Sequence, residues 1–202
     1  MAKLQLSDIA DLRAYEKERD GFRASIIALK AIRRVSVGPI VSLVFENSQT
    51  VRFQVQEMAR AERILSEERI QEELDTYNPL VPEPGELCAT MFIELTTEDE
   101  LRNWLPKLAG IERCVQLQFG VPGSGEPEIV QGEIEDAHSE QLTREGVTAA
   151  VNYLTFRFEN AQVARFADGP VQVAIRHPEY EYLTALTDDA RFELSRDLTS
   201  GG

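Results

Sequence analysis

The run LCATMFIEL at 87–95 constrains this chain more than any other stretch. It is apolar over nearly its whole length and lacks the in–out alternation of a strand with one wet face. A strand of this kind is central in a sheet or covered on both sides. The chain is therefore expected to contain a sheet, with the other segments extending or covering it.

Upstream, residues 4–20 read as a helix with Ser7 as N-cap and Asp8 in its first turn, ended by Gly21. A second helix follows, in which Phe22, Ile26, Leu29 and Ile32 recur at spacings of three and four. Together they form an N-terminal helical segment over about 4–34. The period then changes. VSVGPIVSLVF reads as strand, and Gly38-Pro39 interrupts it at an edge, bulge or strand start. ENSQ at 46–49 reads as a turn. TVRFQV at 50–55 alternates Val51, Phe53 and Val55 against Arg52 and Gln54, which predicts the second arm of an antiparallel hairpin. EMARAERIL is a short helix. Ser66 caps another, with Ile70, Leu74 and Tyr77 as its apolar stripe and Asn78-Pro79 as its stop.

Downstream, Thr97 and Glu100 carry a capping-box signature, and Gly110 ends the helix that follows. CVQLQF and EIVQGEIE read as strands, with a loop at 120–127 between them. DAHSEQLTREG is polar. VTAAVNYLTFRFE, VARF and VQVAIR are expected as three strands of an antiparallel meander, and His177-Pro178 ends the last. YEYLTAL and ARFELSRDL read as C-terminal helices over about 179–199. Regular βαβ alternation is absent. The expected fold is a single α+β domain over 1–202, with a mostly antiparallel sheet, open to partial closure into a barrel, and flanking helices.

The formal net charge is −14, and it is unevenly spread. Residues 1–63 carry 11 Lys and Arg against 8 Asp and Glu, whereas residues 64–202 carry 10 against 27. Such acidity disfavours nucleic acid as a partner and keeps a protein soluble. No apolar run suits a signal peptide or a membrane span, so a cytoplasmic location is expected. Cys88 and Cys114 each sit in an apolar run and read as buried free thiols. Two cysteines are too few for an iron–sulfur cluster held by this chain alone.

No P-loop, dinucleotide glycine set or nucleophile elbow is present. Whether the chain is an enzyme is left open, with a non-enzyme favoured. The candidate polar cluster is Gln56, Glu57, Arg60, Glu62, Glu94 and His177, with Gln54, Glu68 and Glu72 near it in sequence. Converging carboxylates would shift one another's pKa values or bind a hard cation. The competing explanation is a set of surface ion pairs, with His177 as a capping group. No cofactor is expected, and a divalent metal is the one group left open. His138 lies in a polar loop. Arg23, Lys30, Arg33, Arg34 and Arg52 are candidate contacts for an anion or an acidic partner, or for the chain's own acidic half. A protein partner or self-association is expected, and no membrane.

The segment FRASIIALKAIRRVSVGPIVSLVFENSQTVRFQVQEMARAERI, followed by IQEELDTYNPLVPEPGELCATMFIE, resembles a bacterial domain family of unknown function, number 3501. The QEMxRxE and ELDxYNxLxP patterns carry the resemblance. Here they fall on Gln56, Glu57, Arg60 and Glu62, and on Glu73, Leu74, Asp75, Tyr77, Asn78 and Pro82. The resemblance implies a small cytoplasmic protein, an accessory or interaction component linked to peroxide or iron redox metabolism. The alternatives are a small enzyme with a carboxylate-lined, metal-binding cleft, and a homo-oligomeric structural protein. The resemblance also implies a histidine where this chain has Asn152, which weakens a histidine-centred mechanism at that strand.

Overall fold

The computed structural model describes residues 3–120, 125, 127–134 and 148–202. His138 and the polar stretch around it lie outside these residues. The described residues form an α+β domain: eight strands in one antiparallel sheet, with six α-helices around it.

β3 (Glu86–Ile93) lies between β2 (Val41–Glu46) and β6 (Val151–Arg157), so the apolar run at 87–95 is central as its pattern requires. Both its faces are covered. Leu87, Ala89, Met91 and Ile93 enter the main core, while Cys88 and Thr90 are buried on the opposite side. The full strand order is β1-β2-β3-β6-β5-β4-β7-β8, with β1 at Arg34–Ser36, β4 at Val115–Phe119, β5 at Glu128–Ile134, β7 at Val171–His177 and β8 at Tyr180–Ala185.

The sheet curls until its ends nearly meet. Tyr180 on β8 spans the gap. Its hydroxyl donates to the Val37 carbonyl at 2.7 Å and accepts from the Ile40 N–H at 3.2 Å, both in the β1–β2 connection. Gly38, at φ +76°, is obligatory there, because a Cβ would come within 2.5 Å of the Tyr180 hydroxyl. The enclosed face is apolar, with Phe45, Leu117, Phe156, Val173 and Ile175 fully buried.

Helices cover the outside. α1 (Leu12–Arg33), α2 (Ser48–Ala61) and α3 (Glu67–Tyr77) pack on one another, and α1 and α2 meet β2. α4 (Glu98–Trp104) begins at the capping box of Thr97 and Glu100, and Gly110 at φ +88° ends the turns after it. α5 (Asn160–Asp168) and α6 (Asp188–Ser200) add Phe166, Leu194 and Leu198 to the core.

Several local expectations are corrected. The first helix does not run from Ser7 to Gly21. Ser7 lies in a single 3-10 turn, Asp11 is the N-cap, and α1 continues through Gly21 to Arg33. The glycine costs about 1 kcal/mol in a helix interior, which the packing of the long helix overrides. TVRFQV is helix, not strand. Asn47 caps it by accepting from Gln49 N and Thr50 N, and the Thr50 hydroxyl accepts from Asn47 N. The hairpin is therefore β1–β2, turning at Gly38-Pro39. VARF belongs to α5, so β6 and β7 are not neighbours, and β6 pairs with β3 and β5. YEYLTA is strand β8, which pairs with β7 across the Pro178-Glu179 turn.

Candidate functional site

The residues of the QEMxRxE pattern act as fasteners between helices. Gln56 is fully buried. Its Oε1 accepts from the Ala10 N–H at 3.0 Å and its Nε2 donates to the Ala10 carbonyl at 2.9 Å. Glu57 accepts from the Tyr15 hydroxyl at 2.8 Å and from Arg19 through two nitrogens at 2.8 Å each. The Arg19 guanidinium holds the Glu57 carboxyl below its ordinary value, and burial, followed by Glu57, pushes the Tyr15 phenol up. Arg60 pairs with Glu16, and Glu62 with Arg69.

The second pattern does similar work. Leu74 is fully buried. Asn78 repeats the grip of Gln56 on another residue: Oδ1 accepts from the Leu4 N–H at 2.8 Å and Nδ2 donates to the Leu4 carbonyl at 2.9 Å. With Lys3 Nζ on the Val81 carbonyl and Arg52 Nε on the Asp8 carbonyl, these clamps fix residues 3–10 across α2 and α3.

Glu94 and His177 lie elsewhere. Glu94 is exposed and accepts from Arg34 at 2.7 Å and Ser42 at 2.5 Å. His177 ends β7, where Nδ1 accepts from Glu179 N and Nε2 faces the Ala109 carbonyl, each at 3.2 Å. Nδ1 is therefore an acceptor and Nε2 carries the proton. The six residues of the polar cluster are thus not brought to one site. Among the described residues no group of three or more His, Cys, Asp or Glu is placed to hold a metal ion.

The cationic set is also dispersed. Arg23 is exposed on α1. Arg52 pairs with Glu18, and Arg34 with Glu94. Arg33 is fully buried: Nε donates to the Phe45 carbonyl at 2.7 Å, Nη2 to the Glu46 carbonyl at 2.9 Å, and the guanidinium pairs with Asp197 and Glu193 on α6. Burial pushes the Asp197 carboxyl up, against the pull of Arg33.

Lys30 leads to a different place. Together with Glu46, Gln54, Tyr77, Thr90 and Tyr153 it lines a cavity of about 150 Å³ between the outer face of the sheet and the helices. Leu80 and Phe92 form part of its apolar wall. The sheet register builds its floor. Thr90 and Tyr153 are cross-strand neighbours on β3 and β6, and Glu46 on β2 lies opposite Cys88, one diagonal step from Thr90. Thr90 Oγ1 donates to Glu46 Oε1 at 2.8 Å. Glu46 Oε2 lies 3.8 Å from Lys30 Nζ, and the Glu46 side chain is 8% exposed. Arg33 holds the backbone carbonyl of the same glutamate. Burial first, then Tyr77 and Glu46, raises the Tyr153 phenol.

This arrangement offers a buried carboxylate, a cation and two phenols around a small polar space. Such groups can orient a ligand by hydrogen bonds. The sequence reading missed Glu46, Thr90 and Tyr153. Lys30 was grouped with the cations, and Tyr77 entered only as stripe and pattern. A charged Glu46 closing the apolar strand Val41–Glu46 was the available signal. Asn152, at the position where the resemblance implies histidine, is buried and donates to the Ala149 carbonyl. Its neighbour Tyr153 is the one that lines the cavity.

No curated protein matches the chain. A crystal structure of a novel protein of unknown function from Burkholderia pseudomallei K96243 is similar over 98% of this chain and 100% of that one, with 34% identity and a TM-score of 0.86. The model of the family described as "Protein of unknown function (DUF3501)" matches residues 3–198, and the chain belongs to that family.

Proposed function

We propose that this chain is an accessory binding protein, of the kind the family resemblance sets beside peroxide- and iron-linked redox enzymes, and that the Glu46 cavity receives a small polar ligand. The supporting observation is the pair of charges in that cavity. Glu46 is almost wholly buried, yet its counter-ion Lys30 stands 3.8 Å away, beyond hydrogen-bond reach. A buried carboxylate is costly unless hydrogen-bonded. Thr90 satisfies one oxygen. The second is free to accept from a guest. At about 150 Å³ the cavity suits a molecule much smaller than a drug. The Tyr77 phenol and the Gln54 amide line the same space and supply further polar groups.

The reading is tested by nitrogen-15 NMR of the full chain against a library of polar fragments. Binding should shift the backbone amides of Lys30, Glu46, Thr90 and Tyr153 together, and Glu46→Gln should abolish those shifts while the rest of the spectrum stays native. If no fragment moves these four signals, the cavity is not a binding site.

A further inference from the structure

Resting on that reading of the cavity, we infer that its ligand is a small zwitterion, of the chemical class of a free amino acid with a small side chain. Glu46 and Lys30 bring one negative and one positive charge to the same cavity. Neither the Lys30 ammonium nor Glu46 Oε2 makes a hydrogen bond among the described residues; their mutual contact at 3.8 Å is the interaction each has. A carboxylate as buried as that of Glu46, with one oxygen left without a direct hydrogen bond, needs an explanation.

A zwitterion supplies one. Its ammonium donates to Glu46 Oε2, and its carboxylate accepts from Lys30 Nζ. Each protein charge then exchanges a loose contact for a direct, charge-assisted hydrogen bond, the stronger type. The guest adds no net charge to the cavity. A simple amine would compete with Lys30 for Glu46, and a simple carboxylate would compete with Glu46 for Lys30. Either would leave one charge in the cavity uncompensated, which is the costly outcome.

Size points the same way. An apolar cavity near 150 Å³ holds benzene, about six heavy atoms. Glycine, alanine and serine fall at or near this size, whereas amino acids with long side chains exceed it. Leu80 and Phe92 leave an apolar wall for a methyl or methylene group. The Tyr77 phenol and the Gln54 amide add polar positions for a hydroxyl, as in serine.

Isothermal titration of the full chain with glycine, L-alanine and L-serine tests this, with ethylamine, propionate, glycerol and acetamide as comparison probes. At least one amino acid should bind about tenfold or more tightly than ethylamine and propionate. Lys30→Met and Glu46→Gln should each lose about tenfold or more of that affinity, and the exposed Glu98→Gln should leave it unchanged. Lys30 sits at the half-exposed edge, so Lys30→Met keeps the test valid if the buried Glu46→Gln fails to fold. Binding of glycerol, acetamide or a singly charged probe as tightly as the amino acids would overturn the zwitterion while leaving the cavity a binding site. Failure of every probe in the titration overturns the zwitterion. Only absence of all four NMR shifts in the fragment library would also remove the cavity as a site.

Discussion

The two faces of the sheet are assembled on different physical terms. The enclosed face is held by bulk: Phe45, Leu117, Phe156 and their neighbours exclude water and need no partner beyond shape. The outer side beneath α1, α2 and α3 has a smaller apolar cluster around Val51, Leu80 and Val81 and adds named pairs to it: Gln56 on Ala10, Asn78 on Leu4, Glu57 on Tyr15 and Arg19, and Arg33 on Phe45, Glu46 and Asp197. The first side depends on close packing of apolar side chains. The second is specific, and it leaves a polar cavity where side chains do not close up.

Removing one element from each side gives the sharpest contrast. Phe156→Ala should cost about 3–5 kcal/mol in urea denaturation, because it leaves a cavity in a packed core. Arg33→Met should cost a similar amount, about 3–5 kcal/mol, for a different reason: it strands Asp197 in a buried position. The two are separated by a second substitution. Asp197→Leu added to Arg33→Met should recover most of the loss, whereas no polar change compensates Phe156→Ala. If the double variant is no more stable than Arg33→Met alone, the pairwise description of the outer face fails.

The same variant predicts a pH dependence. Burial raises the folded-state value of Asp197 above its ordinary 3.8. A raised carboxyl means that the folded state holds the proton more tightly, so its contribution is fully present below the ordinary value and is lost as pH rises through the folded one. Arg33→Met removes the opposing cation and should steepen that loss. Melting temperatures of the variant should move closer to wild type on acidification and further away towards neutrality.

Next in size is Gln56→Ala, which orphans the amide and carbonyl of Ala10. It should cost about 1–3 kcal/mol and speed hydrogen exchange at Ala10, leaving the core strands protected. Uniform loss of protection across β3 and β6 would mean that residues 3–10, the strap these clamps hold, are part of the core.

The smallest effect is Glu57→Gln. Arg19 lowers the folded-state value of Glu57 below 4.5. Its stabilisation is therefore present above 4.5 and is lost as pH falls through the lowered value. The variant should be less stable than wild type at neutral pH by about 1 kcal/mol or less, and the two should converge in acid. A constant gap down to low pH would show that Glu57 acts by shape and not by charge.

Much of the enclosed side was legible in the chain. An apolar run without alternation points to cover on both faces, and Leu87–Met91 and Ile93 are buried, with Phe92 half-buried against the cavity. The box of Thr97 and Glu100 marked α4 because its signal is local. The errors fell where two periods fit the same letters. Val51, Phe53 and Val55 alternate like a strand, yet Val51 and Val55 are also one helical turn apart, and both are buried in α2. Asn47 and Thr50 decide the matter by capping, a signal that reads as a turn when the helix beyond is not suspected. Glu159 and Gln162 misled in the same way at α5. The cavity was not legible as a unit. Glu46, Thr90 and Tyr153 meet through the register of three strands, and Lys30 joins them from α1, across the helix–sheet packing.

The clamps of Gln56 and Asn78 have a consequence for how this chain can drift. Both grip main-chain atoms, so they read the position of the strap but not its letters. Positions 4 and 10 are free to change side chain as far as these grips are concerned, while 56 and 78 must keep a carboxamide of the right length. The address of residues 3–10 is therefore written 46 and 74 residues beyond the positions that the two clamps hold. A mutation there would misplace a segment whose own sequence is intact.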